Sequence, residues 1–263
     1  MKMNSLSVTF LLGTILLIAS CSETNNETAQ RAPDRQTHDF VNPIEKAHKM
    51  SKWNKKGVMK TNIDLKLGGT SLDAELFVET DGPGILLELS EDTVAIFTGD
   101  EMYAMPSDSA VSPFTLKTWA YFLEAPYKLN DPGTMMKKHD TAQMKGKTYD
   151  RAKLTFQSGT GDTPDDWYVL YRDQDSNQLK AMSYIVTAGR SVEEANKNPH
   201  AISYESFQSI EGVPVATTWK FWGWSEEKGF SEEPIGEATL SNIEFLEAGT
   251  LFEAAEGANK MKR

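Results

Sequence analysis

One cysteine, Cys21, stands in 263 residues. A single cysteine closes no internal disulfide and builds no thiolate zinc site. Long apolar runs are missing after the N-terminal segment, which excludes a protein of many membrane-spanning helices. Basic blocks are missing as well. Lys and Arg total 27 against 38 Asp and Glu, a formal net charge of −11. Binding to a phosphate backbone needs clustered cations, so nucleic acid is excluded as the main partner. The signatures of catalysis and metal binding are also missing. There is no Gly-x-Ser-x-Gly nucleophile turn and no His-Glu-x-x-His. His38, His48, His139 and His200 have no second His or Cys at ligand spacing. Ser158-Gly159-Thr160-Gly161 is Gly-rich but lacks the phosphate-loop Lys and reads as an ordinary loop. Asp173-Gln174-Asp175-Ser176-Asn177 starts like a calcium loop. A calcium loop continues with Gly and Glu where this chain has Gln178 and Tyr184, so a hairpin turn is expected. No catalytic residue, metal or cofactor is expected.

What is present begins with an address. Lys2 supplies a positive start, and an apolar stretch from Leu6 to Ala19 has the length of a signal-peptide core rather than of a membrane span. Ile18-Ala19-Ser20-Cys21 then resembles a bacterial lipobox: an aliphatic residue, two small residues that let a peptidase take the chain extended, and Cys. The resemblance implies cleavage before Cys21 and a lipid on it. Ser22 is not the Asp that retains enteric lipoproteins at the inner membrane. The expectation is a protein lipid-anchored in the outer membrane, on its periplasmic or cell-surface side. Residues 1–20 form the leader and residues 21–39 a tether. The tether is rich in Ser, Thr, Asn, Glu and Gln, with few apolar side chains to bury.

Residues 40–263 carry all but one of the aromatic residues, which make up 10 % of the chain, and this excludes a disordered body. Pro43 followed by Ile44, Ala47, Met50 and Trp53 at helical spacing predicts one helix ending at Gly57. The period then changes to two. Ile63, Leu65 and Leu67 alternate with polar residues, as do Leu72, Ala74, Leu76 and Val78, with a Gly68-Gly69 turn between. Further strands are expected at about 84–90, 93–98 and 101–105. A second helix should start at Pro113 and close near Glu124, before Pro126. Strands resume at about 134–140, 147–157, 166–172, 178–187, 201–208, 213–224 and 235–246, followed by a short amphipathic tail near Leu251. Consecutive hairpins in this number imply one long antiparallel sheet, and sheets beyond ~10 strands curl. The expected fold is mainly β, a single domain holding a curved antiparallel half-barrel with a helix or two over its concave face.

Trp167-Tyr168-Val169-Leu170-Tyr171-Arg172-Asp173, with its turn and Leu179-Lys180, resembles a hairpin of the LolA/LolB-like periplasmic lipoprotein carriers. Gly212-Val213-Pro214 and the strand after it resemble a late strand of the same family. Residues 47–54 and 122–133 look like segments of an uncharacterised family of Bacteroidota lipoproteins. The resemblance implies a sheet of about eleven strands with helices in its concavity and an apolar ligand cavity. It does not imply lipoprotein sorting, and the gating arginine of the carriers has no clear counterpart here.

The aromatic residues are the functional clue. Val213, Val215, Trp219 and Phe221 share one face of a strand, and Trp222 and Trp224 share the other. A strand apolar on both faces is covered on both sides or lines a site. Trp167, Val169 and Tyr171 form a second stripe, and Trp119 and Phe122 lie on the helix that could act as a lid. Trp119, Phe122, Trp167, Trp219, Phe221 and Trp222 are therefore candidates for binding a lipid or acyl chain, with ordinary core packing as the alternative. Met102 and Met105 could adapt to such a ligand or fill core. The pairs Glu193-Glu194, Glu226-Glu227 and Glu232-Glu233 read as solvated loops. Three roles remain open at this stage: a non-catalytic binder of an apolar ligand or of another lipoprotein, a structural lipoprotein of the envelope, and a glycan hydrolase, whose two carboxylates need no proximity in sequence.

Overall fold

The computed structural model describes residues 38–90, 93–105, 111–249, 251–254 and 257–261, all within the unit Arg35–Arg263. Cys21, the lipobox and the tether up to residue 37 lie outside the described residues. The chain opens with α1 (Asn42–Ala47) and α2 (Met50–Trp53), then β1 (Val58–Leu67), β2 (Thr70–Glu79), β3 (Ile85–Ser90), β4 (Thr93–Phe97) and β5 (Met102–Met105). The long helix α3 (Pro113–Lys128) follows. After it come β6 (Thr134–Met144), β7 (Lys147–Phe156), β8 (Tyr168–Asp173), β9 (Leu179–Tyr184), a short α4 (Val192–Asn196), β10 (His200–Ile210), β11 (Val213–Ser225), β12 (Gly229–Phe230), β13 (Gly236–Leu246) and β14 (Asn259–Lys260).

All described pairings are antiparallel, and the order is β14-β5-β4-β3-β2-β1-β13-β11-β10-β9-β8-β7-β6, with β12 on β11. Two arms of consecutive hairpins meet where β1 pairs with β13. The sheet does not close into a barrel, because its two edges, β14 and β6, do not pair with each other. The β1–β2 turn shows why hairpins form so readily here. Gly68 and Gly69 have φ of 58° and 84°, both positive as a two-residue turn of the favoured hand requires, and Leu67 pairs directly with Thr70.

The alternating residues sort by face. Ile63, Leu65, Leu72, Ala74, Leu76 and Val78 join Leu116, Ala120, Phe122 and Leu123 of α3 in the main core. Val58, Phe77, Leu86 and Ile96 point the other way and are covered by Phe252. The tail near Leu251 thus serves as a cover. Beyond it, β14 pairs with β5, and the Met261 N–H donates to the Met102 carbonyl at 2.8 Å.

Three expectations about helices are corrected. The first helix is two helices, because Lys49 takes a left-handed conformation at φ 60°, ψ 41°. Spacing by threes cannot reveal such a break. Its effect is to seat His48 against the sheet while Trp53 stacks on Tyr127 with ring centroids 4.2 Å apart. The second helix does not close before Pro126 but runs through it to Lys128. Pro126 has no N–H for the Phe122 carbonyl, and the Tyr204 hydroxyl donates to that carbonyl instead at 3.0 Å. Glu193-Glu194 is no loop. Ser191 and Glu194 form a reciprocal capping box that starts α4. The Asp173 turn is a hairpin, as its sequence suggests. The Asp173 carboxylate accepts from the backbone N–H groups of Asp175 and Ser176 and pairs with Lys147 at 2.6 Å.

Candidate functional site

Helix α3 begins at Ser112, whose hydroxyl accepts from the Thr115 N–H at 3.0 Å, with Pro113 in the first turn. The helix has two working faces. Leu116, Ala120 and Leu123 face the sheet and are buried. Phe114, Lys117, Thr118, Tyr121 and Phe122 recur at helical spacing on the other face, and all five line one cavity of about 790 Å³. The cavity's opposite walls come from strand ends on the second arm. Phe156 closes β7, Tyr168 opens β8 and Tyr184 closes β9, and all three line it, as does Val186. Met102 of β5 joins from the first arm. The space therefore bridges the two arms on the open side of the sheet. Phe114, 46 % exposed, stands at its rim.

Six aromatic side chains line the walls: Phe114, Tyr121, Phe122, Phe156, Tyr168 and Tyr184. Tyr121 and Tyr168 have ring centroids 5.2 Å apart, Phe122 and Tyr184 5.1 Å, and Phe156 meets Tyr168 edge-on at 6.0 Å. Burial pushes the Tyr121, Tyr168 and Tyr184 hydroxyls well above the ordinary phenol range, so all three are neutral at physiological pH. Tyr121 Oη lies by Tyr168 without reaching hydrogen-bond geometry, and Trp119 Nε1 is buried without a partner. Charge enters the lining through Lys117, Asp162 and Asp166. Asp166 is engaged: Thr163 Oγ1 donates to it at 2.8 Å, and Thr187 donates through N at 2.8 Å and through Oγ1 at 2.7 Å. Lys117 Nζ lies 2.5 Å from Asp162 and 4.2 Å from the centre of the Phe97 ring. Among the described residues no group of three or more His, Cys, Asp and Glu could hold a metal ion.

The six aromatic candidates fall in three places. Phe122 lines the large cavity. Trp119, Trp219 and Phe221 belong with it to the concave core, Trp119 lying 6.2 Å from Phe122 and 6.1 Å from Phe221 by ring centroids. Trp219 borders a small void of about 20 Å³ near His48 and Tyr127. Trp167 and Trp222 are on the convex face, in a separate cluster with Tyr171, Trp224 and Phe230. Lys145 and Lys153 cover that cluster, 4.0 Å above Trp222 and 4.6 Å above Trp167. The structure thus splits the candidates by strand parity, as the alternation along β11 predicts. Sequence reasoning did not single out Tyr121, Phe156, Tyr184 or Lys117. The usable signal was the second face of α3, where Lys117 and Thr118 interrupt apolar residues at helical spacing. The loop after Phe156, read as plain loop, supplies Thr160, Gly161, Asp162 and Thr163 to the cavity.

No family model matches the chain, and no curated protein matches it. Solved structures do. A LolA superfamily protein from Nitrosomonas europaea superposes with a TM-score of 0.50 at 11 % identity, over 80 % of this chain and 97 % of that one. A DUF1329 family protein from Desulfovibrio piger matches at 14 % identity and a TM-score of 0.49, over 80 % of this chain and 94 % of that one. A putative outer membrane lipoprotein-sorting protein domain from Vibrio parahaemolyticus matches at 13 % and 0.45, over 77 % and 93 %. The first of these likenesses establishes the fold: a LolA-like curved sheet with a helix in its concavity.

Proposed function

We propose that this chain is a non-catalytic envelope protein that holds the acyl part of an amphiphile between α3 and the open side of its sheet. The observation that carries this reading is the aromatic cavity of about 790 Å³, inside the ~300–1,000 Å³ range of small-molecule sites. Such a space binds by area. Each methylene taken from water contributes about 0.8 kcal/mol, so several of them suffice without any special motif. The neutral tyrosines add hydroxyls but no base, and Asp166 is already committed to three donors. The LolA-like fold is consistent with this role. The lipobox supports an anchor at Cys21 in the outer membrane. The cargo is then a lipid or the acyl group of another lipoprotein.

Native mass spectrometry with organic extraction, on a soluble form from Ser22 to Arg263, tests the binding. A lipid at one-to-one stoichiometry is expected. Thr118→Trp, which fills the cavity from α3, should remove that lipid and leave the fold intact. A wild-type chain that carries none and takes up none overturns the reading. Growth with radiolabelled palmitate tests the anchor: label on the wild type and none on Cys21→Ala is expected, and equal label on both refutes it.

A further inference from the structure

We infer that the amphiphile has an anionic head and that Lys117 receives it by exchanging Asp162 for the ligand. This deepens the reading above and rests on it. Among the described residues lining the cavity, Lys117 is the basic one. It sits in the middle of the cavity face of α3, three residues after the rim residue Phe114 and four before Tyr121. A chain lying along the aromatic wall would thus leave its head within reach of Nζ. The protein as a whole carries a net charge of −11 and repels anions at long range. A local cation in the cavity wall is what an anionic head would require.

The present partner of Lys117 is built to be given up. Asp162 is on the loop after β7, and its side chain is 51 % exposed. Half-exposed ion pairs contribute only ~0–1 kcal/mol. The loop is fixed on both sides of it. Gln157 N–H donates to the Gly133 carbonyl at 2.8 Å, and Thr163 is tied to Asp166. Gly161, at φ 67°, has open space around it and precedes Asp162 directly. Asp162 can therefore swing outward without disturbing either anchor. A carboxylate or phosphate arriving with its chain buried makes the same charge-assisted bond to Lys117 in a less solvated place, where such bonds are stronger. The acidic partner thus acts as a competitor for Lys117 that an anionic head displaces.

The test is calorimetric titration of the full-length mature chain with palmitate, a lysophosphatidate and hexadecanol. Palmitate or the lysophosphatidate, whichever head fits, should bind more tightly than the neutral alcohol, and the preference between them assigns carboxylate or phosphate. Lys117→Met should weaken the anionic probe about tenfold and leave hexadecanol within about twofold. Asp162→Asn should tighten the anionic probe severalfold, because it removes the competitor. The opposite signs separate head recognition from loss of fold, and Asp162→Asn, an exposed change, carries the test alone if Lys117→Met does not fold. Equal losses for anion and alcohol in Lys117→Met, or weaker anion binding in Asp162→Asn, overturn this inference while leaving acyl binding standing. A wild-type chain that binds none of the probes overturns both.

Discussion

His48 and Glu124 are buried ionisable side chains that burial moves in opposite directions. His48 Nε2 accepts the Leu179 N–H at 3.0 Å, so a proton there would break a bond as well as bury a charge. Burial, reinforced by nearby Lys180, holds it down to about 3. Glu124 is raised from its ordinary 4.5 to about 7 by burial, which outweighs the pull of Lys128 at 3.6 Å. Between pH 3 and 6.5 the unfolded chain binds a proton at His48 that the folded chain does not, so this residue makes stability fall as pH falls. Between pH 4.5 and 7 the folded chain holds a proton at Glu124 that the unfolded chain loses, so this residue makes stability fall as pH rises. The two slopes oppose each other between pH 4.5 and 6.5. Denaturant unfolding of Glu124→Gln across that window should show stability rising with pH more steeply than in the wild type, by up to roughly 1.4 kcal/mol per unit. For His48→Gln the slope should turn the other way. Parallel curves for all three proteins would refute both assignments. The sequence shows both side chains but not their burial, since a lone histidine at the end of a helix looks the same whether or not a sheet amide reaches it.

Helix α3 is the element on which the site depends, and its length is set from outside. The Phe122 carbonyl that Pro126 leaves without a donor is taken by Tyr204 on β10. Tyr204→Phe should cost about 1–3 kcal/mol in denaturant unfolding, the penalty of an orphaned buried carbonyl. Pro126→Ala restores the backbone donor, so Tyr204→Phe should cost less in that background. An additive double mutant would refute the link. This explains which parts of the fold were legible. The strands were, because Ile63, Leu65, Leu72 and Leu76 alternate along the chain and Gly68-Gly69 marks its own turn. The two ends of α3 were unequal. Ser112-Pro113 is a local signal, whereas the far end depends on a hydroxyl 82 residues away. The cavity was half legible for the same reason. Phe122 was picked out by its helix, while Phe156, Tyr168 and Tyr184 meet only because three strand ends converge.

At the scale of the whole molecule, the C-terminal segment guards the first arm. Phe252 covers Phe77, Leu86 and Ile96, β14 pairs with β5, and Lys260 forms an ion pair with Glu101. A chain stopped at Leu246 would expose an apolar patch and a bare strand edge. It should self-associate in sedimentation velocity and lose stability, up to about 1.5 kcal/mol from the half-buried Phe252 alone. A truncated chain that stays monomeric and equally stable would show that the segment is decoration. The second arm ends differently, in β6, whose Lys137 and Lys138 are exposed on the free edge. These edges bound a sheet that never becomes a ring. In a ring, admitting a guest means breaking backbone ladder bonds. In this sheet the arms join through the β1–β13 pairing, and the two outer edges stay unpaired, so the space between their tips is open with every ladder bond kept. On the proposed function, loading and unloading would then be questions of elasticity rather than of unfolding.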